Sequence, residues 1–475
     1  MTDGATVEVG ERGGDATIRE ARKNIALLWR RPKPSQTVYR PMKFLLQTQV
    51  DEGLLLCNVV TSELVLLDGA EREAFERLPA AYVPEMDELI ARHYAVPESF
   101  DENRSVRELR ALLRKLDVPK RVNGFTILPT TECNARCFYC FESDHKRCTL
   151  TEEMADDVVE YIARVSKGGP VEISWFGGEP LVGSKRISQI CAGLRARDIR
   201  YRSSMVSNAY LFDEELIRVA KNEWNLKNVQ ITLDGTETVY NETKAYVNPR
   251  DNPYRRVLRN INLLLDNEIL VNVRLNVTDK NYEDLNKLVD ELIGQFAGKS
   301  GFSCYSHAVY DGVGFEPLQY DDRTREQIDA QTSSLDAKLQ GLNLLGSLKR
   351  LPSLRVINCM SDNDGCRLIY PDGKVGKCEN RPSLDAVGDI YQDITDPEKN
   401  DWYKTPAQSP GCRDCCLFPT CMDLKSCPEA GACSRIQREW RVSRYLTLIS
   451  ERYREFRQNN TLDHTESSNS LECET

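Results

Sequence analysis

At 475 residues the chain is long enough for two or three domains, and a hydrophobic fraction of 40% allows a sizeable core. Its 63 basic against 73 acidic side chains give a formal charge of −10, which argues against nucleic acid or an anionic membrane as the main partner and suits a well-solvated surface. No uninterrupted apolar run approaches the ~18–20 residues of a membrane span. Residues 1–20 lack the apolar stretch of a secretory signal, so a cytoplasmic protein is expected. In that compartment 17 cysteines are poorly explained by disulfides and point to metal.

In chain order, a flexible tail is expected over 1–38. Residues 39–118 read as an α+β unit. Strand patterns at 43–50 and 54–60 flank Asp51-Glu52-Gly53, a hairpin turn in which glycine is expected to supply positive φ; Thr61-Ser62 then leads to a third strand at 63–67. Helical periodicity follows at 70–78, 85–94 and 106–116. Over 119–310 strands at 124–129, 171–176, 203–207, 229–233, 269–277 and 301–306 alternate with helices at 151–165, 185–195, 213–222, 254–267 and 281–296. This predicts parallel strands with right-handed crossovers, and six such units fit an incomplete TIM-type barrel, a partial (β/α)6 fold with its chemistry at the C-terminal strand ends. A helical connector covers 311–356 and a cysteine-rich segment 357–440. The last stretch, 441–475, reads as a helix and a polar disordered tail in which Cys473 plays no part.

Directly after the first barrel strand stands Cys133-Asn134-Ala135-Arg136-Cys137-Phe138-Tyr139-Cys140. A cubane iron–sulfur cluster has four irons and wants four thiolates. This loop offers three, which leaves one iron open as a reaction site, as on any catalytic metal with an open position. The spacing, with the aromatic Tyr139 before the third cysteine, resembles the radical S-adenosylmethionine (SAM) superfamily. A mononuclear zinc site would need a fourth ligand nearby, for which Cys148 is the cheap candidate. His145 reads as a surface residue, His93, His307 and His464 show no ligand spacing, and no Ser/His/Asp arrangement or general base is evident.

The resemblance extends to the other strand ends. Gly177-Gly178-Glu179-Pro180 after the second strand matches the family's Gly-Gly-Glu-Pro segment, whose carbonyls and glutamate receive the ammonium of SAM; the glycines are expected to let backbone approach the ligand. Ser207-Asn208 resembles the Thr-Asn-Gly segment near the ribose, with Ala209 in place of glycine. Thr232-Leu233-Asp234-Gly235 matches a Ser-Leu-Asp-Gly pattern, and Lys244 stands where the family has an arginine. By this resemblance Thr232 and Lys244 hold the SAM carboxylate, although lysine lacks the guanidinium fork. Arg274 and Asn276 alternate on the fifth strand and are expected to point inward as further cofactor contacts. Tyr139 either stacks beside the adenine or packs the cysteine loop.

Nine cysteines crowd between 359 and 433. The Gly-x4-Cys step ending at Cys378 and the Cys-x2-Cys-x5-Cys step from Cys412 resemble the SPASM domain, which carries auxiliary iron–sulfur clusters; five residues, not three, separate Cys421 from Cys427. The resemblance implies one cluster on Cys359, Cys366, Cys378 and Cys427, and a second on Cys412, Cys415, Cys421 and Cys433, with Cys416 able to replace Cys415. A pair of zinc sites is the competing reading, since four thiolates also suit zinc. With full ligation neither auxiliary cluster would have a free iron, so electron transfer and structural support are the expected roles.

Three [4Fe-4S] clusters and SAM are thus the expected cofactors. The resemblance implies a 5′-deoxyadenosyl radical that takes a hydrogen atom from an unactivated C–H bond. The α+β unit at 39–118 resembles the winged-helix-like peptide-recognition domain of enzymes that modify ribosomally made peptides. The expected activity is therefore a maturase that installs a thioether or carbon–carbon crosslink in a precursor peptide with a leader sequence, fed by a reductant such as flavodoxin or ferredoxin. An anaerobic sulfatase activator that makes formylglycine is the alternative enzyme, and a metal-binding scaffold the non-catalytic one.

Overall fold

The computed structural model describes residues 6–7, 37–116, 119–143, 145–309, 320–346, 350–407, 412–421, 424–427 and 433–468, with side chains of the last helix to residue 458. Most of the expected tail at 1–38, and the tail beyond 468 with Cys473, lie outside these residues.

The N-terminal region carries strands β1 (Thr6–Val7), β2 (Val38–Pro41), β3 (Leu45–Val50), β4 (Gly53–Asn58) and β5 (Leu64–Leu67). β3, β4 and β5 form the expected meander, in the order β1-β5-β4-β3. Gly53 has an ordinary φ, contrary to expectation. The turn needs glycine because a Cβ there would stand 2.4 Å from the Leu67 carbonyl oxygen. Helices stand in the three expected stretches, and the region holds a second sheet besides. Short strands β6 (Ala80–Ala81) and β7 (Ala95–Pro97) flank β2 in a second sheet, interleaved with helices α1 (Gly69–Glu76), α2 (Asp87–Ala91) and α3 (Glu102–Leu116).

Alternation along β3 and β4 gives the meander two apolar faces. Leu56 and Leu67 pack with Phe75, Ile90 and Tyr94. On the other side Phe44, Leu46 and Leu55 join Val106 and Leu109 of α3. That second core also takes Leu354, Leu417, Ile449 and Tyr453 from the far end of the chain. The edge of β3 stays open, since among the described residues β3 pairs with β4 alone. The Val59 N–H donates to Phe44 O (2.9 Å), so Leu45 and Asn58 form a non-hydrogen-bonded pair. The backbone groups of Leu45, Gln47 and Gln49 therefore point out from the edge.

The central region is β8 (Gly124–Thr130), α4 (Glu152–Ser166), β9 (Val171–Gly177), α5 (Ser184–Ala196), β10 (Tyr201–Ser207), α6 (Glu214–Asn222), β11 (Leu226–Leu233), α7 (Glu237–Lys244), α8 (Pro253–Asp266), β12 (Leu270–Val277), α9 (Tyr282–Phe296) and β13 (Phe302–Ala308). The six strands are parallel and adjacent in chain order. Helix starts follow local chemistry: the side chains of Thr151, Asp213 and Asn252 each accept a backbone N–H of the first turn. Ile127, Ile173, Trp175, Val229 and Val273 alternate outward and are fully buried against the helices, each worth about 1.5–3 kcal/mol. Ser174, Phe176, Gln230, Thr232, Asn272 and Arg274 take the other face and are half-buried.

The sheet does not stop at β8. β14 (Cys366–Ile369) pairs parallel with it, then β15 (Lys374–Gly376), β16 (Gly388–Asp389) and β17 (Asp393–Ile394) continue as a meander. Cys366 faces Gly124, where a Cβ would lie 2.7 Å from the sulfur. The expected connector contains α10 (Asp322–Gly341); α11 is Pro397–Trp402, and the final helix, α12, spans Arg435–Ser468.

Candidate functional site

The loop after β8 leaves and returns through one staple. Thr131 N–H donates to Cys148 O (2.8 Å), and the Thr130 hydroxyl lies 2.6 Å from that of Thr149. The end of α7, the segment after it and the end of β10 hold the loop: Arg136 N–H donates to Lys244 O (2.8 Å), Val247 N–H to Asn134 O (2.8 Å), and the Asn208 amide to Asn134 Oδ1 (2.7 Å). Cys133, Cys137 and Cys140 are thus gathered at the C-terminal end of β8, half-buried. Burial, with Glu179 and its neighbouring thiols, pushes Cys133 up to about 12. Burial and Glu142 push Cys140 up to about 11. Burial also raises Cys137, against the pull of Lys244. Metal capture here must therefore release protons. Among the described residues no three Cys, His, Asp or Glu side chains stand at metal-ligating separation. The donor set, three thiols on one stapled loop, nevertheless fits a thiolate-bound iron cluster.

Gly177 and Gly178 also make a close approach within the protein. A Cβ on Gly177, whose φ is +121°, would lie 2.2 Å from Thr130 O; on Gly178 it would lie 2.4 Å from Glu132 O. The glycines let this segment close on the cysteine loop itself, and Glu179 N–H donates to Glu132 O (2.9 Å). The Glu179 carboxylate is 1% exposed. It accepts from Leu181 N–H (3.1 Å), the Ser207 hydroxyl (2.8 Å) and Asn208 N–H (2.8 Å). Burial still raises it to about 7. Pro180 opens the short turn that follows. Ala209 sits at φ +61°, a left-handed position where glycine would be unstrained.

At the end of β11 a buried network joins three elements. Tyr139 OH donates to Asp234 Oδ1 (2.7 Å), and Lys244 Nζ lies 3.0 Å from Tyr139 OH and 3.1 Å from Asp234 Oδ2. Asn276 donates from Nδ2 to Asp234 Oδ1 (3.2 Å), and its Oδ1 accepts from Arg274 Nε (3.0 Å). Asn281 closes the set on the Asp234 and Asn276 carbonyls, both at 2.8 Å. Burial alone would lower the Lys244 ammonium, but Asp234 and the surrounding phenols hold it well above its ordinary value. Lys244 thus already has a carboxylate, and Tyr139 is anchored by its hydroxyl. Thr232 and Arg274 face the interior of the sheet. Asp234 and Asn281 were missed as site residues. Asp234 was visible inside the quoted Thr-Leu-Asp-Gly segment, whereas Asn281 had no sequence signal.

His145 is not a surface residue: its imidazole is 6% exposed, with Nδ1 3.9 Å from Glu142 Oε1. It follows the loop into cover against Phe141. Burial, with Glu379 opposite, raises Glu142 to about 8. Cys148 belongs to the staple.

The C-terminal cysteines fall into two neighbourhoods. Cys366 is raised by burial, with Cys359 adding to it. Cys378 is pushed up to about 12 by burial and Glu379, with Cys359 and Cys427 acting in the same direction. Cys433 is raised by burial, with Cys421 and Cys415 beside it. Cys412 is one turn away, its carbonyl accepting from Cys415 N–H (3.3 Å). Cys416 neighbours Cys415 and is pushed up to about 11 by burial.

Residues 127–292 match the model of the Radical SAM superfamily. Over 176 residues the chain is 26% identical to GTP 3',8-cyclase of Clostridium perfringens, strains SM101 and 13, covering 37% of this chain and 50% of those proteins. The chain thus spans about half the length of the curated relatives it matches. Among solved structures it is similar to native anSMEcpe with bound AdoMet and Kp18Cys peptide, at TM-score 0.55 and 15% identity, covering 69% of this chain and 99% of that one. SuiB of Streptococcus suis bound to S-adenosylmethionine aligns at TM-score 0.47 and 14% identity, over 84% and 99%. The radical SAM resemblance read from the motifs therefore holds, and the likeness to anSMEcpe extends to the α/β fold. No helix among the described residues is long and apolar enough to cross a membrane.

Proposed function

We propose that this chain is a radical SAM peptide maturase that crosslinks a ribosomally made precursor through a thioether or carbon–carbon bond. The observation that carries the reading is the convergence of the cysteine loop, the Gly177–Pro180 turn and the Ser207–Asn208 strand end, each closed on the next by hydrogen bonds. Cys133, Cys137 and Cys140 would hold a [4Fe-4S] cluster; Gly177, Gly178, Glu179, Ser207, Asn208, Thr232 and Arg274 surround the place for SAM. Bound there, the pair would supply the 5′-deoxyadenosyl radical that takes a hydrogen atom from a C–H bond. The polypeptide supplies order. Glu179 ties two strand ends together, Asp234 and Lys244 fix Tyr139 beside the cysteines, and the barrel wall excludes water. The pairing of Cys359, Cys366, Cys378 and Cys427, and of Cys412, Cys415, Cys421 and Cys433, is supported by their two neighbourhoods and would house auxiliary clusters as an electron route.

A peptide substrate is favoured by the open β3 edge, which suits addition of a leader strand, and by the peptide bound to the structural neighbour anSMEcpe. That neighbour's fold also keeps the second reading alive, formylglycine formation on a sulfatase. The anaerobically reconstituted protein should release 5′-deoxyadenosine from SAM under reductant, and replacing the three loop cysteines by alanine should stop it. No release from the wild type would sink the enzyme reading. With a peptide present, a thioether or carbon–carbon crosslink creates no aldehyde, whereas formylglycine is one and a hydrazide traps it; trapping would decide for the second reading.

A further inference from the structure

Among the described residues, two buried cations stand beside the C-terminal cysteines with carbonyl oxygens, not carboxylates, as their hydrogen-bond partners. Arg110, on α3, is 8% exposed. Its Nε donates to Arg355 O (3.0 Å), and its Nη2 faces the carbonyls of Phe418 (2.7 Å), Pro419 (2.8 Å) and Cys421 (2.9 Å). The guanidinium carbon lies 4.9 Å from the centroid of Phe418. The ionisable groups that act on it among the described residues include Cys421 and two further arginines, Arg114 and Arg355; Arg114 has its own carboxylate, Asp362. Lys377 is fully buried, and its ammonium donates to the carbonyls of Asn363 (2.7 Å) and Cys366 (3.3 Å). The carboxylate that acts on it, Asp364, is bonded at 2.7 Å to Lys404, which also holds Asp401 at 3.0 Å, so no acid contacts the Lys377 ammonium directly among the described residues.

Carbonyl dipoles solvate a cation but leave its charge uncompensated, and buried charges are ordinarily paired. The missing negative charge is what four thiolates around a metal core would bring. Arg110 grips the segment carrying Cys415 and Cys421; Lys377 grips Cys366 and precedes Cys378. We infer that Arg110 and Lys377 are the built-in counter-cations of two anionic tetrathiolate centres. Lys377 serves the set Cys359, Cys366, Cys378 and Cys427; Arg110 serves the set Cys412, Cys415, Cys421 and Cys433. The inference rests on the auxiliary-cluster reading above. Each fixed charge favours the more negative, reduced state and so raises that centre's potential. Because Arg110 belongs to the N-terminal region, it also makes the second centre sensitive to how that region is seated.

The test uses the full chain, reconstituted anaerobically with iron and sulfide, with iron counted per chain and each centre followed by EPR in a redox titration. Arg110→Met should lower the reduction constant of one auxiliary centre about tenfold, ~59 mV for one electron. The other auxiliary centre and the Cys133 loop cluster should stay at wild-type values. Lys377→Met should do the same to the other auxiliary centre. Arg110→Lys and Lys377→Arg, which keep the charge, should stay near wild type. Unchanged potentials in both methionine variants at full iron would overturn the inference. A wild type that holds one cubane's iron, about four atoms rather than ~12, would instead sink the auxiliary-cluster reading itself and the inference with it. If Arg110→Met does not fold, the Lys377 pair decides.

Discussion

Gly178→Ala tests whether the turn after β9 exists to close on the cysteine loop. The added Cβ would sit 2.4 Å from Glu132 O, 2.6 Å from Glu132 C and 2.7 Å from Thr131 O, all backbone atoms. No side-chain rotation relieves this, so one segment must move. Overpacking of this kind costs about 1–3 kcal/mol, a factor of about 5–150 in the folding equilibrium. The segment that yields carries Glu132, next to Cys133, so iron uptake should fall as well. Gly294→Ala is the control: it lies inside α9 with nothing within 4 Å of the new atom, and should gain about 0.5–1 kcal/mol. Anaerobic denaturation followed by circular dichroism gives the stabilities, and iron counted after reconstitution gives the loop's capacity. A Gly178→Ala protein that matches Gly294→Ala in midpoint and iron content refutes the reasoning.

Asp234→Asn should cost about 3–5 kcal/mol by leaving the buried Lys244 ammonium unpaired, and adding Lys244→Met should restore most of it; a double variant no better than the single, by denaturation, contradicts the network. Gln47→Pro removes one outward N–H from the β3 edge, so leader-peptide affinity by calorimetry should drop about two- to tenfold, one hydrogen bond's worth, with SAM cleavage unchanged; equal affinity removes the edge from the docking model. Asp393 would be raised by burial, but hydrogen bonds from Arg367 and Tyr161 hold it below its ordinary value. Its contribution is therefore present above the unfolded carboxylate's pKa and is lost as pH falls through the lower folded value. Asp393→Asn should flatten the acid limb of a stability-versus-pH curve, and an identical limb in both proteins disproves the assignment.

The cysteine loop and the strand–helix alternation were legible because both are local: ligand spacing within eight residues, and periods of two and 3.6. His145 was misread because a polar residue beside polar neighbours gives no sign of a loop folding back over it. Gly53 is necessary for a reason other than its φ, and Gly177 and Gly178 have a second reason in the cysteine loop, since a sequence shows that a Cβ is absent but not what it would strike. The second N-terminal sheet is built from strands of two to four residues, too short for any period. Arg110 reads as an ordinary surface arginine of an amphipathic helix; its partners lie some three hundred residues away.

The core in which Phe44, Leu46 and Val106 meet Leu417, Ile449 and Tyr453 has a consequence for biosynthesis. Residues 124–308 can assemble while the chain is still emerging, because their contacts link neighbouring units. The first sheet cannot complete the burial of its second face, begun by α3, until α12 has cleared the ribosome. Residues 42–113 must therefore wait with that face incompletely covered while the intervening chain is translated, and a truncation near residue 440 should destabilise this region as well as removing α12.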